Sequence, residues 1–211
     1  QRISQRMFGI EAKKIFVAAL VLLAGLALRD WSMREIVHPP GVLVPERPRQ
    51  QNLENSALIH IDSFRLKPRA DFQIRARVLS REDYSWGNEA ELSPMDLALG
   101  WGVMSDQAVL DRINIRQGSR WYYTRYELPA PIPDQAIIQN SGNMHMIPAD
   151  DRVRKKLTKV RRGDIVQLHG QLVDIDGESG WRWRTSLSRN DTGGGSCEIV
   201  YLRDIWVEDR D

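Results

Sequence analysis

The sequence predicts an α+β protein, with one N-terminal transmembrane helix followed by a domain that ends in a small antiparallel barrel. Three observations predict this class. A run of fourteen residues without a polar side chain, Ile15 to Leu28, lies near the N-terminus. Residues 72–78 alternate apolar and polar side chains, the pattern of a half-buried strand. Residues 150–208 read as helix, strand, turn, strand, loop and strand, the order expected of a small curled sheet.

The N-terminal apolar run is the first element. Fourteen helical residues span about 21 Å at ~1.5 Å each, short of the ~30 Å hydrocarbon core of a bilayer. Basic residues before the run can snorkel and a tryptophan after it suits the membrane interface. These flanks predict an uncleaved anchor over residues 8–31, in contact with the lipid bilayer, within a segment 1–36. The residues that define this anchor are Lys13, Lys14, Leu20, Leu23, Leu28 and Trp31.

Two alternatives for this segment remain open. A basic start, a short apolar stretch and the small residues Gly25 and Ala27 also fit a cleavable signal peptide. A buried core helix is the other. If the anchor is retained, Arg2, Arg6 and the lysines before the run place the N-terminus in the cytoplasm by the positive-inside rule. The sequence then predicts a single-pass protein of the bacterial inner membrane with a periplasmic main domain.

Charge and cysteine content exclude several classes of protein. The 211 residues carry a net charge of +2. Six basic and three acidic residues among the first 36 contribute +3, which leaves −1 for residues 37–211. A nearly neutral domain lacks the positive field that phosphate-driven nucleic-acid binding needs, so no nucleic-acid partner is expected. The single cysteine, Cys197, excludes an internal disulfide and a cysteine-rich zinc site.

A proline-rich stretch follows the anchor. Four prolines between His38 and Gln50 prevent a continuous helix and predict an extended linker over residues 37–50. The main domain is therefore predicted over residues 51–211. Its first strands are expected within residues 57–66 and 72–78.

The middle of the domain contains helix signals and an aromatic strand. Ser93 and Pro94 resemble a helix start, and Ser105 with Asp106 predicts a second cap for a helix that reaches about Ile113. Residues 119–128 predict a strand, and the prolines that follow predict a helical turn.

The C-terminal third has the clearest pattern. Asp150 or Asp151 can cap a helix whose apolar stripe is Val153, Leu157 and Val160. Strands are expected over residues 165–175, 181–187 and 197–208. Gly170 lies within the first of them, where a barrel needs a bend or a bulge.

Two resemblances follow from these motifs. The segment RRGDIVQLHGQLVDIDG resembles the strands of OB-type small barrels, and this implies an OB-like part over about residues 150–208. The motifs GWGVMSD, NMHMIPAD and WRWRTSLSRNDTGGGSCE resemble those of uncharacterised, membrane-anchored bacterial envelope proteins over residues 58–208. The second resemblance implies a bacterial origin and no particular activity.

Catalytic and metal-binding motifs are weak in this sequence. No His falls in an HExxH motif, and neither a GxSxG motif nor a phosphate loop is present. Cys197 with His145 or His169 is a conceivable nucleophile–base pair, but a cysteine that opens an apolar strand is more often inert. The Met144-His145-Met146 cluster offers ligands for copper, although alternate residues of a strand face opposite sides. No metal and no cofactor is therefore expected. Carboxylates that could serve glycan cleavage are Asp106, Asp111, Asp191 and Glu198.

Tryptophan and arginine residues are the best candidates for an interface. Trp181 and Trp183 share one face of their strand, and the two arginines between and after them share the other. A tryptophan-rich core is the competing interpretation. A basic helix over residues 152–162 and a glycine loop over residues 191–196 are interpreted as a solvated face and a hairpin connection. The interface or ligand-binding candidates are Trp101, Trp121, Trp181, Arg182, Trp183 and Arg184.

Together these features predict a non-catalytic protein. The leading hypothesis is a membrane-anchored accessory or structural subunit, or a binding module, of a bacterial envelope complex, with other envelope proteins as partners. One alternative is a periplasmic enzyme that uses carboxylates on glycans. The other is an OB-type nucleic-acid-binding protein that uses Arg182, Arg184 and the basic helix.

Overall fold

The computed structural model describes residues 16, 18–25, 27, 33–188, 190 and 196–209. The chain forms two compact units, residues 1–34 and residues 35–211. In the first unit, residues 18–25 are helical, and the side chains of Leu20 and Leu23 are exposed.

The predicted membrane anchor is wrong. Within the described part of the chain, no helix combines the length and the apolar character that crossing a membrane requires. This finding overturns the transmembrane helix of the predicted fold class, the single-pass topology and the inner-membrane location with a periplasmic domain. A membrane helix needs ~20 apolar residues, and the run of fourteen approaches that length only when charged flanks are added. Lys13, Lys14, Leu28 and Trp31 lie outside the described residues.

The described residues of the second unit form a mixed, sheet-rich domain of ten strands and four short α-helices. The strands are β1 (Arg49–Asn52), β2 (Ile59–Ile61), β3 (Phe64–Asp83), β4 (Met95–Gly100), β5 (Ile113–Gly118), β6 (Trp121–Tyr126), β7 (Ser141–Pro148), β8 (Ile165–Asp176), β9 (Arg182–Trp183) and β10 (Glu198–Val207). The helices are α1 (Asn88–Leu92), α2 (Gln107–Leu110), α3 (Asp134–Gln139) and α4 (Asp151–Leu157).

Five of these strands close into a barrel. Their order is β3–β4–β7–β10–β8, and β8 pairs back onto β3. The β7–β10 pairing is parallel and the other four are antiparallel. Helix α4 connects β7 to β8 and buries Val153 and Leu157 in the barrel core. This is a five-stranded Greek-key barrel, the architecture of which the OB-type barrel is an example.

The barrel is therefore larger than the sequence predicts, and it is not purely antiparallel. It begins at residue 64 rather than near residue 150, because the twenty residues of β3 pair with both β4 and β8. Register shifts at Pro68/Ala70 and Val78/Ser80 bend β3 so that it can reach both neighbours. Because these strands are far apart in the sequence, no local pattern in either segment predicts that they pair.

The barrel interior is the main hydrophobic core. Phe72, Ile74, Ala76 and Val78 of β3 point into it, as their alternation predicts. At Gly170 of β8, a Cβ would lie 2.3 Å from the backbone oxygen of Tyr201 on β10. Only glycine permits this close approach of two strands next to a register shift of β10.

Residues 35–52, which include the predicted linker, lie against the barrel. The amide of Ile36 donates to the carbonyl of Arg162 over 2.9 Å, and Val44 is fully buried in the core. Strand β1 then pairs with β3. The prolines prevent a helix here, as the sequence predicts, but they do not prevent packing.

Local helix signals were misleading at one place in the domain. Ser93 and Pro94 lead into β4 rather than into a helix, and every residue of β4 is buried between β3 and β7. The short helix α1 lies just before this point. Helix α2 has the predicted cap at Asp106 but ends at Leu110, and β9 is only two residues long. Burial between two neighbouring strands outweighs a local capping pattern.

Candidate binding site

The candidate site is on a hairpin that is inserted between the second and third strands of the barrel. Strands β5 and β6 pair with each other as a separate two-stranded sheet. The inward side of this hairpin buries Ile113 and Ile115 against Leu79 and Ala98 of the barrel. OB-type barrels bind ligands on the outer face of their second and third strands. Here the chain's own hairpin covers part of that face.

The tip of the hairpin has an unfavourable backbone conformation. Its two loop residues, Ser119 and Arg120, have φ values of 50° and 67°. A two-residue hairpin loop with positive φ at both positions is a type I′ turn, and Asn-Gly is its usual sequence. A left-handed residue other than glycine costs about 1–2 kcal/mol. Other contacts must offset this cost if the tip is to stay in place.

The side chain of Arg120 supplies these contacts. Its Nη1 donates to Asp96 Oδ1 over 2.6 Å, and its Nη2 donates to the carbonyl of Ser93 over 2.8 Å. Its backbone amide donates to the hydroxyl of Tyr84 over 2.9 Å, and its guanidinium lies 3.7 Å from the centre of that ring. Burial raises the pKa of Tyr84, so the hydroxyl keeps its proton. We call Arg120, Asp96, Ser93 and Tyr84 the tip cluster.

Buried polar side chains of β7 surround the tip cluster. Asn143 donates to the carbonyl of Arg120 over 3.1 Å. His145 Nδ1 lies 2.9 Å from Asp96 Oδ1, but the two groups are not aligned as a hydrogen bond. Asp96 is fully buried and His145 nearly so. This arrangement holds the hairpin to the barrel and leaves the Asp–His pair with almost no access to solvent.

The outward side of the hairpin is exposed. Trp121 is 41% exposed and Tyr123 is 54% exposed. Across the hairpin, Tyr123 pairs with Arg116, and Arg125 pairs with Asn114. A shallow pocket of about 400 Å³ lies among the Asn114, Arg116, Tyr123 and Arg125 side chains. We call Asn114, Arg116, Trp121, Tyr123 and Arg125 the hairpin face.

The structure places the other interface candidates in different environments. Trp101 is 1% exposed and belongs to the barrel core. Trp181 packs edge-on to Phe64, and Trp183 lies 4.6 Å from the ring of His145. Both are half-buried.

Arg182 and Arg184 are exposed and both pair with Asp176. The hydrogen bond from Arg184 lowers the pKa of this carboxyl group. Of the six candidates, Trp121 alone belongs to the hairpin face.

Three of the four carboxylates considered for catalysis lie within the described residues, and each has a structural environment of its own. Asp106 caps helix α2 and accepts from the amides of Ala108 and Gly41. Asp111 accepts from Gln107 on the same helix. Glu198 is buried on β10, and Asp191 lies outside the described residues.

The structure also describes the surroundings of the Met-His-Met cluster and of the basic helix. Met144 and Met146 are buried in the barrel core, on the opposite side of β7 from His145. Among the residues described, no three or more His, Cys, Asp or Glu side chains are grouped as a metal site would require. Arg152 and Lys156 of the basic helix pair with Asp204. The glycines of the loop at residues 193–195 are outside the described residues.

Sequence reasoning missed most of this site. The period of two in residues 121–126 separates Trp121, Tyr123 and Arg125 from the inward-facing Tyr122 and Tyr126. That signal was available in the sequence. The contact between Arg120 and Asp96 was not, because the two residues are 24 positions apart and meet only when the hairpin folds back.

Comparisons with protein-family models, with curated proteins and with solved structures find no match to this chain. The resemblance to bacterial envelope proteins therefore stays a prediction. Any functional proposal rests on the geometry described above.

Proposed function

We propose that this chain is a non-catalytic binding module, and that it holds an acidic segment of a partner protein on the hairpin face. One observation carries the proposal. Trp121 and Tyr123 are exposed together with Arg116 and Arg125 on one side of a hairpin whose other side is buried. Tryptophan, tyrosine and arginine are the residues that most often dominate the binding energy of protein interfaces.

The hairpin face is held rigid by the tip cluster. Arg120 fastens the loop to Asp96 and Ser93, and the inward-facing Ile113 and Ile115 are buried. A surface that is already ordered loses little conformational entropy when it binds. This favours a recognition surface over a loop that has only a connecting role.

The charge of the hairpin face selects the chemistry of the partner. At the outward positions of β5 and β6, the two charged residues are Arg116 and Arg125. Neither of them forms an ion pair among the described residues. An acidic segment with apolar side chains complements both the arginines and the aromatic rings.

The two alternative functions have less support. Nucleic-acid binding would need a positive field, whereas residues 37–211 carry a net charge of −1. The barrel face that OB-type proteins use is partly covered by the hairpin. Glycan cleavage would need two carboxylates that face one substrate, whereas Asp106 accepts from two backbone amides and Asp111 accepts from Gln107.

The proposal is tested by selecting peptides from a random peptide library on the immobilised full-length chain. We expect acidic sequences that contain aromatic or aliphatic residues. Trp121→Ala should weaken the selected peptides by about 30-fold, the loss typical of a central interface residue. Trp206→Ala is the matched control, because Trp206 is 48% exposed on β10, outside the hairpin face.

Two outcomes would overturn the proposal. One is a set of selected peptides whose binding is unchanged by Trp121→Ala. The other is tighter binding of single-stranded oligothymidine than of any peptide, with a steep dependence on salt, which would indicate the nucleic-acid alternative.

A further inference from the structure

A second candidate site lies at the base of the hairpin and shares Asn114 and Arg125 with the hairpin face. It is a cleft of about 890 Å³. Its walls come from β3, from helix α2, from the ends of β5 and β6, and from residues 35 and 37 at the start of the domain. This volume is within the range of ~300–1,000 Å³ that is usual for small-molecule sites. We call it the arginine cleft, after the arginine that lines it from β3.

That residue, Arg77, is 1% exposed. Its Nη1 donates to the carbonyl of Ser105 over 3.2 Å, and its Nη2 donates to the side-chain oxygen of Gln107. Both acceptors are neutral. The third nitrogen, Nε, is buried and has no hydrogen-bond partner among the residues that the structure describes.

No carboxylate of the described residues forms an ion pair with Arg77. The nearest route to an acid is indirect, because Gln107 accepts from Arg77 and donates to Asp111 over 2.6 Å. A buried guanidinium is normally paired, since removal of its charge from water is costly. Burial accordingly lowers the pKa of Arg77, although the nearby charge of Glu35 raises it and that of Arg162 lowers it. Arg77 therefore has positive charge and a free donor at the wall of a cleft.

The balance of the other charged groups in the cleft is compatible with a ligand that has one anionic group. Arg162 is paired with Glu35 over 3.1 Å, so these two charges offset each other. Arg112 donates to the carbonyl of Pro129, and Arg125 is exposed at the root of the hairpin. The acids Asp111 and Glu127 also line the cleft and would disfavour a ligand that is an anion throughout.

We infer that the arginine cleft binds a small organic molecule that carries one oxyanion group, either a carboxylate or a phosphate ester. Arg77 holds the oxyanion at the wall, and Arg112 and Arg125 add positive charge around it. Asp111 and Glu127 accept hydrogen bonds from hydroxyl or amino groups elsewhere on the same molecule. Leu79, Ile113 and Leu128 supply apolar contacts to its carbon skeleton. Such a ligand fits the mixture of charges better than a simple anion does.

The test uses isothermal titration of the full-length chain at low ionic strength. The probes are glucose 6-phosphate and gluconate, which share a hydroxylated skeleton and differ in the oxyanion. Binding of the first alone assigns a phosphate, binding of the second alone assigns a carboxylate, and binding of both assigns the shared chemistry. Each of these results supports the inference only if it depends on the arginines of the cleft.

Two substitutions and one control measure that dependence. Arg77→Gln should weaken binding by at least about tenfold, and Arg125→Gln, near the opening, by about threefold. Arg65→Gln should leave it unchanged, because Arg65 is an exposed arginine of the same strand β3 outside the cleft. If Arg77→Gln fails to fold, as judged by circular dichroism, the comparison of Arg125→Gln with Arg65→Gln decides. No binding of either probe, or equal binding by the wild type and the cleft variants, would overturn the inference.

The arginine cleft and the hairpin face share Asn114 and Arg125, but Trp121 does not line the cleft and Arg77 is not part of the hairpin face. Trp121→Ala should therefore weaken peptide binding and leave the titration unchanged, whereas Arg77→Gln should weaken binding in the titration and leave peptide binding unchanged.

Discussion

Arg120 is a half-buried arginine and Arg77 a fully buried one in the same domain, and their surroundings differ. Arg120 reaches a fully buried carboxylate, a carbonyl and an aromatic ring, so its charge is compensated within the fold. Within the described part of the chain, Arg77 donates to a carbonyl and an amide oxygen, and its third nitrogen has no partner. Removal of Arg120 would leave a buried carboxylate unpaired, whereas removal of Arg77 would leave no buried charge behind.

The largest effect is expected when Arg120 is removed. Arg120→Ala leaves the carboxylate of Asp96 buried without its main partner and releases the strained loop. Loss of one member of a buried pair costs about 3–5 kcal/mol of the free energy of unfolding. Urea denaturation measures it, with Arg116→Ala as the exposed control on the same hairpin. A loss below about 1 kcal/mol would mean that the tip cluster does not fasten the hairpin.

A smaller effect is expected at high pH, and it measures whether Tyr122, on the inward side of the hairpin, is buried against the barrel. Burial raises the pKa of Tyr122 to about 12, although its hydrogen bond to Ser141 acts in the opposite direction. A tyrosine whose pKa is higher in the folded state than in the unfolded state makes its full contribution to stability below the unfolded pKa of ~10. That contribution is lost as the pH rises towards 12. The free energy of unfolding should fall by about 2 kcal/mol over this range.

Tyr122→Phe should remove most of this decline, because phenylalanine has no proton to lose. The measurement is urea denaturation at pH values between about 9 and 12. Tyr123→Phe, on the exposed side of the same strand, is the matched control. Curves with the same slope for wild type and Tyr122→Phe would show that the hydroxyl of Tyr122 is not buried in solution.

A gain in stability is expected at the strained loop. Ser119 has a φ of 50°, a conformation that asparagine tolerates better than serine. Ser119→Asn should therefore raise the free energy of unfolding by about 1 kcal/mol, measured as an increase in melting temperature. Ser63→Asn, at an exposed turn residue without positive φ, is the control. No gain would mean that the loop is not strained.

The smallest effect is expected at Arg77, and this result would sharpen the contrast with Arg120. Arg77→Met removes two hydrogen bonds to neutral acceptors and also removes the cost of a buried charge. These two contributions nearly cancel, so the free energy of unfolding should change by less than about 0.5 kcal/mol. Urea denaturation beside Arg120→Ala gives the comparison directly. A loss as large as that of Arg120→Ala would assign Arg77 a structural role.

Part of the fold could be predicted from local patterns. Short-range rules predict the alternation of residues 72–78, a helix cap at Asp150 or Asp151, which the structure places at Asp150, and a strand over residues 165–175, which ends at Asp176. The prediction of a membrane anchor was wrong, because an apolar run of fourteen residues does not supply the length that a bilayer needs. The site was only partly predicted, since Trp121 was identified and Arg120, Asp96 and Arg77 were not.

The sequence by itself determined which side chains of each strand face the core, because alternation depends only on neighbouring residues. It also determined that residues 38–50 form no helix, because four prolines lie within them. The tertiary structure alone decided how β3 and β8 close the barrel, how Arg120 meets Asp96, and that no carboxylate of the described residues pairs with Arg77. Each of these outcomes depends on residues far apart in the chain, which only the folding of the whole domain brings together or keeps apart.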